Sequence, residues 1–133
     1  MMQLKMTYEE ITRRVDEDGD ETEQMQCRCY DADIMRDGEK IGYVQVFENY
    51  DEDGDLTSAY LASIDIDEAQ RCKGYGAEII QQLSDQYDGL YLCPENERCE
   101  HLYQRMGEEL DGAPEELEGC YNEYGKMYYI PRS

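Results

Sequence analysis

Arg71-Cys72-Lys73-Gly74-Tyr75-Gly76-Ala77 is the stretch whose reading decides the fold of this chain. It lies between a strand-like run that ends near Ile66 and a helical run that begins near Tyr75. Strand, glycine turn and helix in that order make an anion site. Two glycines let the backbone pass close to a ligand, successive amides at a helix start can point at one phosphate, and the positive end of the helix dipole favours negative charge there. Taken alone, the same residues serve equally well as a tight strand-to-helix turn, so the surrounding sequence has to separate the two readings.

Upstream of the loop, Tyr60, Ala62, Ile64 and Ile66 alternate with Leu61, Ser63 and Asp65, the period of two expected of a strand with one face on the core. Residues 27–34 and 41–47 are strand-like around Asp37-Gly38, a strong hairpin signal, and Asp53-Gly54 marks the next turn. Downstream, residues 75–87 switch to a helical period, with Ile79, Ile80, Leu83 and Tyr87 on one side and Gly89 as the stop. Leu90, Tyr91 and Leu92 make a short strand that Pro94 ends. A second helix spans about 96–106, burying Cys99, Leu102, Tyr103 and Met106 before Gly107 stops it. An acidic loop over 108–118 then leads to a closing strand over 121–130. The beginning of the chain stays open at this level. Leu4, Tyr8, Ile11 and Val15 fit a helical stripe and Thr7-x-x-Glu10 fits a capping box, yet Thr, Ile and Val also suit an extended strand. With no internal repeat and no low-complexity linker, residues 1–133 read as one α+β domain with a mixed central sheet flanked by helices.

Composition narrows the function classes. At 133 residues and 40% hydrophobic content the chain can bury a core without staples, and no stretch approaches the ~18 apolar residues of a membrane span. The start lacks the apolar run of a signal peptide, which points to the cytoplasm. Lys plus Arg is 12 against 33 Asp plus Glu, a formal charge of −21 that disfavours nucleic acid and anionic membranes as partners. Such a surface suits either high salt or a cationic substrate. Cys27, Cys29, Cys72, Cys93, Cys99 and Cys120 contain no C-x-x-C pair and read as reduced thiols. Cys99 and the single histidine, His101, would point apart on a helix, so no metal is expected. Asp16, Asp18 and Asp20 around Gly19, and Asp51, Asp53 and Asp55 around Gly54, look like calcium-loop fragments. Counting from Asn49, however, the twelfth position is Tyr60 where a bidentate Glu is needed, so both are read as solvated Asp-Gly turns.

A second pattern, Asn96-x-x-Cys99-x-x-x-Tyr103-x-x-x-Gly107, follows the loop by one helix and one strand. Together the two resemble the GNAT superfamily of N-acetyltransferases, whose coenzyme loop reads Arg or Gln-x-x-Gly-x-Gly or Ala and whose next helix reads Asn-x-x-Ala-x-x-x-Tyr-x-x-x-Gly-Phe. Arg71, Gly74 and Gly76 match the first, and Asn96, Tyr103 and Gly107 match the second at every interval. Cys99 stands in place of the Ala and Glu108 in place of the Phe, and the resemblance covers about residues 56–130.

The resemblance implies an acyltransferase that moves an acetyl group from acetyl-coenzyme A to an amine, on a small molecule or a protein lysine or N-terminus. It implies that the loop Arg71, Cys72, Lys73, Gly74, Tyr75, Gly76 and Ala77 binds the cofactor, with the amides of Cys72, Gly74, Gly76 and Ala77 on the pyrophosphate. Ile64 and Ile66 would offer main-chain groups to the acetyl carbonyl and the pantetheine arm, Asn96 would contact that arm, and Tyr103 would protonate the departing thiolate. At the two positions where related enzymes often carry a basic Glu, this chain has Tyr60 and Tyr91. Deprotonation then falls to water and Asp65, Glu95 or the acidic tail, or the chain binds acyl-coenzyme A without turnover or acts as an acidic interaction domain. Plain alternatives exist for the helix residues: Tyr103 as a core tyrosine and Asn96 as an ordinary N-cap.

Overall fold

The computed structural model describes residues 2–11, 26–51, 53–71 and 73–133. In chain order these form β1 (Met2–Ile11), β2 (Gln26–Arg36), β3 (Glu39–Tyr50), β4 (Leu56–Ile66), α1 (Tyr75–Tyr87), β5 (Leu90–Leu92), α2 (Glu97–Met106), β6 (Glu108–Glu109) and β7 (Tyr128–Ile130). Short 3-10 turns occupy Glu68–Gln70 and Glu115–Cys120. The strands make one seven-stranded sheet in the order β1-β2-β3-β4-β5-β7-β6. β1 to β4 are an antiparallel meander, β4 and β5 run parallel, and β7 lies antiparallel to β5 and β6, which makes this the mixed-sheet α+β fold read from the sequence.

Local chemistry accounts for most of these elements. Asp37 and Gly38 both take left-handed backbone angles, φ 52 and 84, as the two-residue turn between β2 and β3 requires. The ambiguous beginning is resolved as a strand: Thr7 pairs with Asp31 and Glu10 with Arg28. Val15 and the Asp16–Asp20 run lie outside the described residues. In the second Asp-Gly turn, the Asp51 carboxylate accepts backbone N–H bonds from Asp53 and Asp55, both at 2.9 Å.

β4 departs from the strict alternation expected of it. Gln45 pairs with Ser63 but Val46 pairs with Leu61, so Ala62 is an extra residue in a β-bulge. An inserted residue inverts the parity of everything beyond it. Ala59 and Leu61 therefore face the main core together with Ile64 and Ile66, while Tyr60 and Ala62 face a second core on the other side. The main core holds Ile34, Val44, Val46, Ile79, Ile80, Leu83, Leu92 and Tyr103, with side chains from both helices. The second is built from Tyr60, Cys93, Leu117 and Met127 and is covered by the chain between β6 and β7.

The long closing strand over 121–130 shrinks to Tyr128–Ile130. The Asn122 side chain accepts from the Tyr124 N–H at 3.0 Å and donates to the Pro94 carbonyl at 2.9 Å, while the Gly125 N–H returns to the Asn122 carbonyl at 3.0 Å. These bonds turn the chain locally where a strand would need ladder partners. Among the described residues no helix is long and apolar enough to cross a membrane.

Candidate active site

The β4–β5 ladder consists of Tyr60 with Tyr91 and Leu61 with Leu92. β5 ends there, whereas β4 runs on to Ile66, still paired to β3 from Ser63–Gln45 through Ile66–Gly42. Past Leu61 one edge of β4 therefore has no strand partner among the described residues, a gap along which Ile64 and Ile66 lie.

The chain leaves β4 through a short tether. The Asp67 N–H donates to the Ile41 carbonyl at 2.7 Å, and Arg71 turns back to donate from Nε to the Ile66 carbonyl at 2.8 Å and from Nη2 to Asp65 at 3.2 Å. Lys73 Nζ donates to the Gln70 side chain at 3.3 Å. Gly74 then takes φ 80 and ψ 6 as the N-cap of α1, a left-handed conformation that side chains with a Cβ disfavour. No side chain caps this end, so the first-turn amides of Tyr75, Gly76 and Ala77 point out of the helix without intrahelical partners. A Cβ on Gly76 would meet no heavy atom within 4 Å, which leaves open space beside those amides. Tyr75 turns its ring into the main core and carries the Arg36 guanidinium 5.1 Å from its centroid. Cys72 lies outside the described residues.

Asn96 is the N-cap of α2, its Oδ1 accepting from the Cys99 N–H at 2.9 Å; a cap uses the oxygen and keeps the NH2 as a donor. Tyr103 is 5% exposed, with its ring 6.1 Å from that of Tyr128 in an edge contact. Burial pushes its hydroxyl above the ordinary tyrosine range, and Cys99 and Glu95 add to the shift. Those neighbours put Tyr103 at the carboxyl end of β5, the end at which the β4–β5 pairing stops. Gly107 brings the backbone against β7, since a Cβ there would meet the Tyr129 carbonyl oxygen.

A strand gap and an unsatisfied helix amino end thus share one end of the sheet, with a protonated tyrosine beside them. The model of the acetyltransferase (GNAT) family matches residues 1–107. The chain belongs to the GNAT family. Comparison with curated proteins gives no match. Membership carries acyl transfer as the general chemistry, acetyl-coenzyme A as the general donor and amines as the general acceptors.

GNAT chemistry needs a route for the amine proton, and Tyr60, at one of the two expected base positions, does not offer one. Tyr60 is buried, donates from its hydroxyl to the Cys120 carbonyl at 3.1 Å, and is pushed above the usual tyrosine range by burial and by Cys93. Tyr91 packs its ring 4.9 Å from Tyr129. Of the acids named from the sequence, Asp65 is exposed and paired with Arg71, and Glu95 is exposed.

Two site features were not read from the sequence. Arg36, carried to the amino end of α1 by the β2–β3 hairpin, adds a third cation near the loop, and nothing in its local sequence announces this. Glu100 is 7% exposed and accepts from Tyr124 at 2.8 Å, Lys126 at 2.9 Å and Tyr128 at 2.6 Å. Those three donors hold its carboxyl down at about 2. Its spacing of three from Tyr103, on the buried stripe of a helix, was the available signal.

Proposed function

We propose that this GNAT protein is an N-acetyltransferase that moves an acetyl group from acetyl-coenzyme A to the amine of a cationic acceptor, on a small molecule or a protein. The observation that supports this reading most is the coincidence, at one end of the sheet, of the β4–β5 gap beyond Leu61 and the bare amino end of α1 behind Gly74. The open space beside Gly76 fits a group that must approach the backbone closely.

In this reading the amides of Cys72, Gly74, Gly76 and Ala77 hold the pyrophosphate, with Tyr75 setting the helix start and Arg71 and Lys73 adding charge. Arg71 can leave Asp65 cheaply, because exposed ion pairs of this kind contribute only about 0–1 kcal/mol. Main-chain groups of Ile64 and Ile66 pair with the pantetheine arm, the Ile66 carbonyl exchanging its Arg71 bond to do so. Asn96 donates to that arm from its NH2. When bound, the cofactor supplies an activated acetyl thioester. The protein orients a neutral amine against the carbonyl carbon, so that a C–N bond forms as the C–S bond breaks. Tyr103 gives its hydroxyl proton to the departing sulfur. The amine's proton leaves through water to Asp65, Glu95 or the acidic tail, and Tyr103 is reprotonated from solvent.

The acidic surface, −21 overall, supports the cationic character of the acceptor. Among the described residues Cys29, Cys93, Cys99 and Cys120 are in no disulfide, which supports a reducing compartment, the cytoplasm. A second reading, an acyl-coenzyme A binder without turnover, draws on the tyrosines at positions 60 and 91. Incubation with acetyl-coenzyme A and a panel of amines, followed by free thiol release, tests the proposal. Thiol release that depends on the amine supports it; a cofactor-induced melting shift of ~10 °C at ~100 times Kd without thiol release supports the silent binder. Neither signal would leave the loop as a turn and nothing more.

A further inference from the structure

At the other end of α1 the molecule has a cavity of about 340 Å³, lined by residues 56–59 of β4, by Tyr87, Asp88 and Gly89 at the helix end, and by Tyr91 and Tyr129. We propose that this cavity binds a small organic cation, a quaternary or alkyl ammonium compound, at a site separate from the transfer centre.

Three observations converge on a positive ligand. The first is the wall: Tyr91 and Tyr129 stand with centroids 4.9 Å apart and planes at 53°, forming a corner, while Tyr87 lines the cavity from the helix end with its ring packed against the main core. A pair of tyrosine rings at the edge of a polar space can receive an ammonium group through the negative faces of the rings. The corner is held in place, since the Tyr129 hydroxyl donates to the Asp88 carbonyl at 3.3 Å and Gly89 leaves room for the ring where a Cβ would strike it. The second is charge. The exposed Asp88 lies in the lining and none of the lining residues is Lys, Arg or His. The third is the helix. The cavity sits at the carboxyl end of 13-residue α1, whose last turn contains no basic residue, so the negative end of the dipole faces it uncompensated.

Distance separates this cavity from the chemistry. Ser58 in the lining and Ile64 beside the gap are six residues apart on one strand, roughly 20 Å at ~3.3 Å per residue. An amine held in the cavity therefore cannot reach a carbonyl in the gap, where attack needs about 3–3.5 Å. The two ends of α1 have opposite polarity, and the inference about its carboxyl end stands independently of the acetyl-transfer reading.

Choline chloride is a suitable probe, with 3,3-dimethylbutan-1-ol as the uncharged compound of the same shape, at ionic strength held constant with sodium chloride. With 13 tyrosines and no tryptophan, tyrosine emission and tyrosine ring resonances report directly on the site. The expected result is saturable choline binding at least ~10-fold tighter than binding of the alcohol. Asp88→Asn, which suits the left-handed φ of 58 at that position, should weaken choline ~3–5-fold without altering melting. Tyr129→Leu should weaken it ~10-fold, and Tyr43→Leu, at an exposed tyrosine of β3, should leave it unchanged. Absence of saturation, equal affinity for the alcohol, or an Asp88→Asn variant that binds choline as tightly as the parent would each overturn the proposal, whether or not Tyr129→Leu folds.

Discussion

For Tyr103, packing and the proposed proton donation make the same demand: a hydroxyl that stays protonated, on a closely packed ring. Its burial and its edge contact with Tyr128 provide both. In the acetyl-transfer reading, Tyr103→Phe should keep cofactor binding and the melting temperature nearly intact while turnover falls ~100-fold or more. Unchanged turnover with a lowered melting temperature would make the residue packing alone. Glu100 gives a second prediction at this scale. Its carboxyl is held at about 2 by Tyr128, Lys126 and Tyr124, below the ~4.3 of a free Glu. A depressed folded-state value contributes stability that is full above ~4.3 and is lost as pH falls toward about 2. Melting curves for the parent and Glu100→Gln should therefore differ most above pH ~5 and converge toward pH 2. A gap that stays constant across that window would show that the three donors do not stabilise the charged form. The burial of Tyr103 was legible on the stripe of its helix, but its contact with Tyr128 and the donors to Glu100 were not. The interval from Asn96 to Tyr103 marks a position, but the donors to Glu100 arrive from 24 to 28 residues further on.

Among the elements, α1 is the one whose ends were legible and whose use was not. Gly74 and Gly76 look alike in sequence, yet the backbone sets them apart. Gly74 has φ 80 and needs glycine for its own conformation, whereas Gly76 is ordinary helix with empty space beside it. Gly74→Val should cost on the order of 1–3 kcal/mol and abolish the cofactor-induced melting shift. Gly76→Val should change stability by less than about 1 kcal/mol and abolish the same shift, because the side chain fills the space where the ligand approaches. Differential scanning calorimetry with and without coenzyme A measures both; a Gly76→Val variant that keeps its shift would place the cofactor elsewhere. β4 teaches the converse. Its alternation of apolar residues is plain in the sequence, and the bulge at Ala62 that reassigns Ile64 and Ile66 to the main core is not, because a bulge is a property of the pairing with β3.

For the molecule as a whole, charge sets the terms. A polyanionic cofactor must approach a protein of charge −21, and the loop's Arg71 and Lys73 are set among Asp65, Asp67 and Glu68. Hydrogen bonds to charged groups, ~1.5–3 kcal/mol each, should dominate at contact, while the surrounding acids act at longer range. Raising salt from ~0.01 to ~0.15 M shortens the Debye length to ~8 Å and should speed cofactor association while weakening a cationic acceptor. Stopped-flow measurement of a rate that falls instead would mean that Arg36, Arg71 and Lys73 make the mouth locally positive. The chain by itself determined what depends on neighbours in sequence: the helices at 75–87 and about 96–106, the Asp37-Gly38 hairpin, the glycine loop and the motif intervals, all fixed by backbone preference and periodicity. Only the tertiary structure decided what depends on partners far along the chain. The strand at Met2–Ile11 needed β2 to tell it from a helix, and the parity of β4 needed β3. The closing strand shortened because Asn122 found Pro94, Glu100 became a buried anion because three donors from the tail surround it, and Arg36 reached α1 across a hairpin. Periodicity reports a segment's own conformation, whereas pairing, burial of charge and approach of distant side chains are set by surfaces that exist only once the sheet has formed.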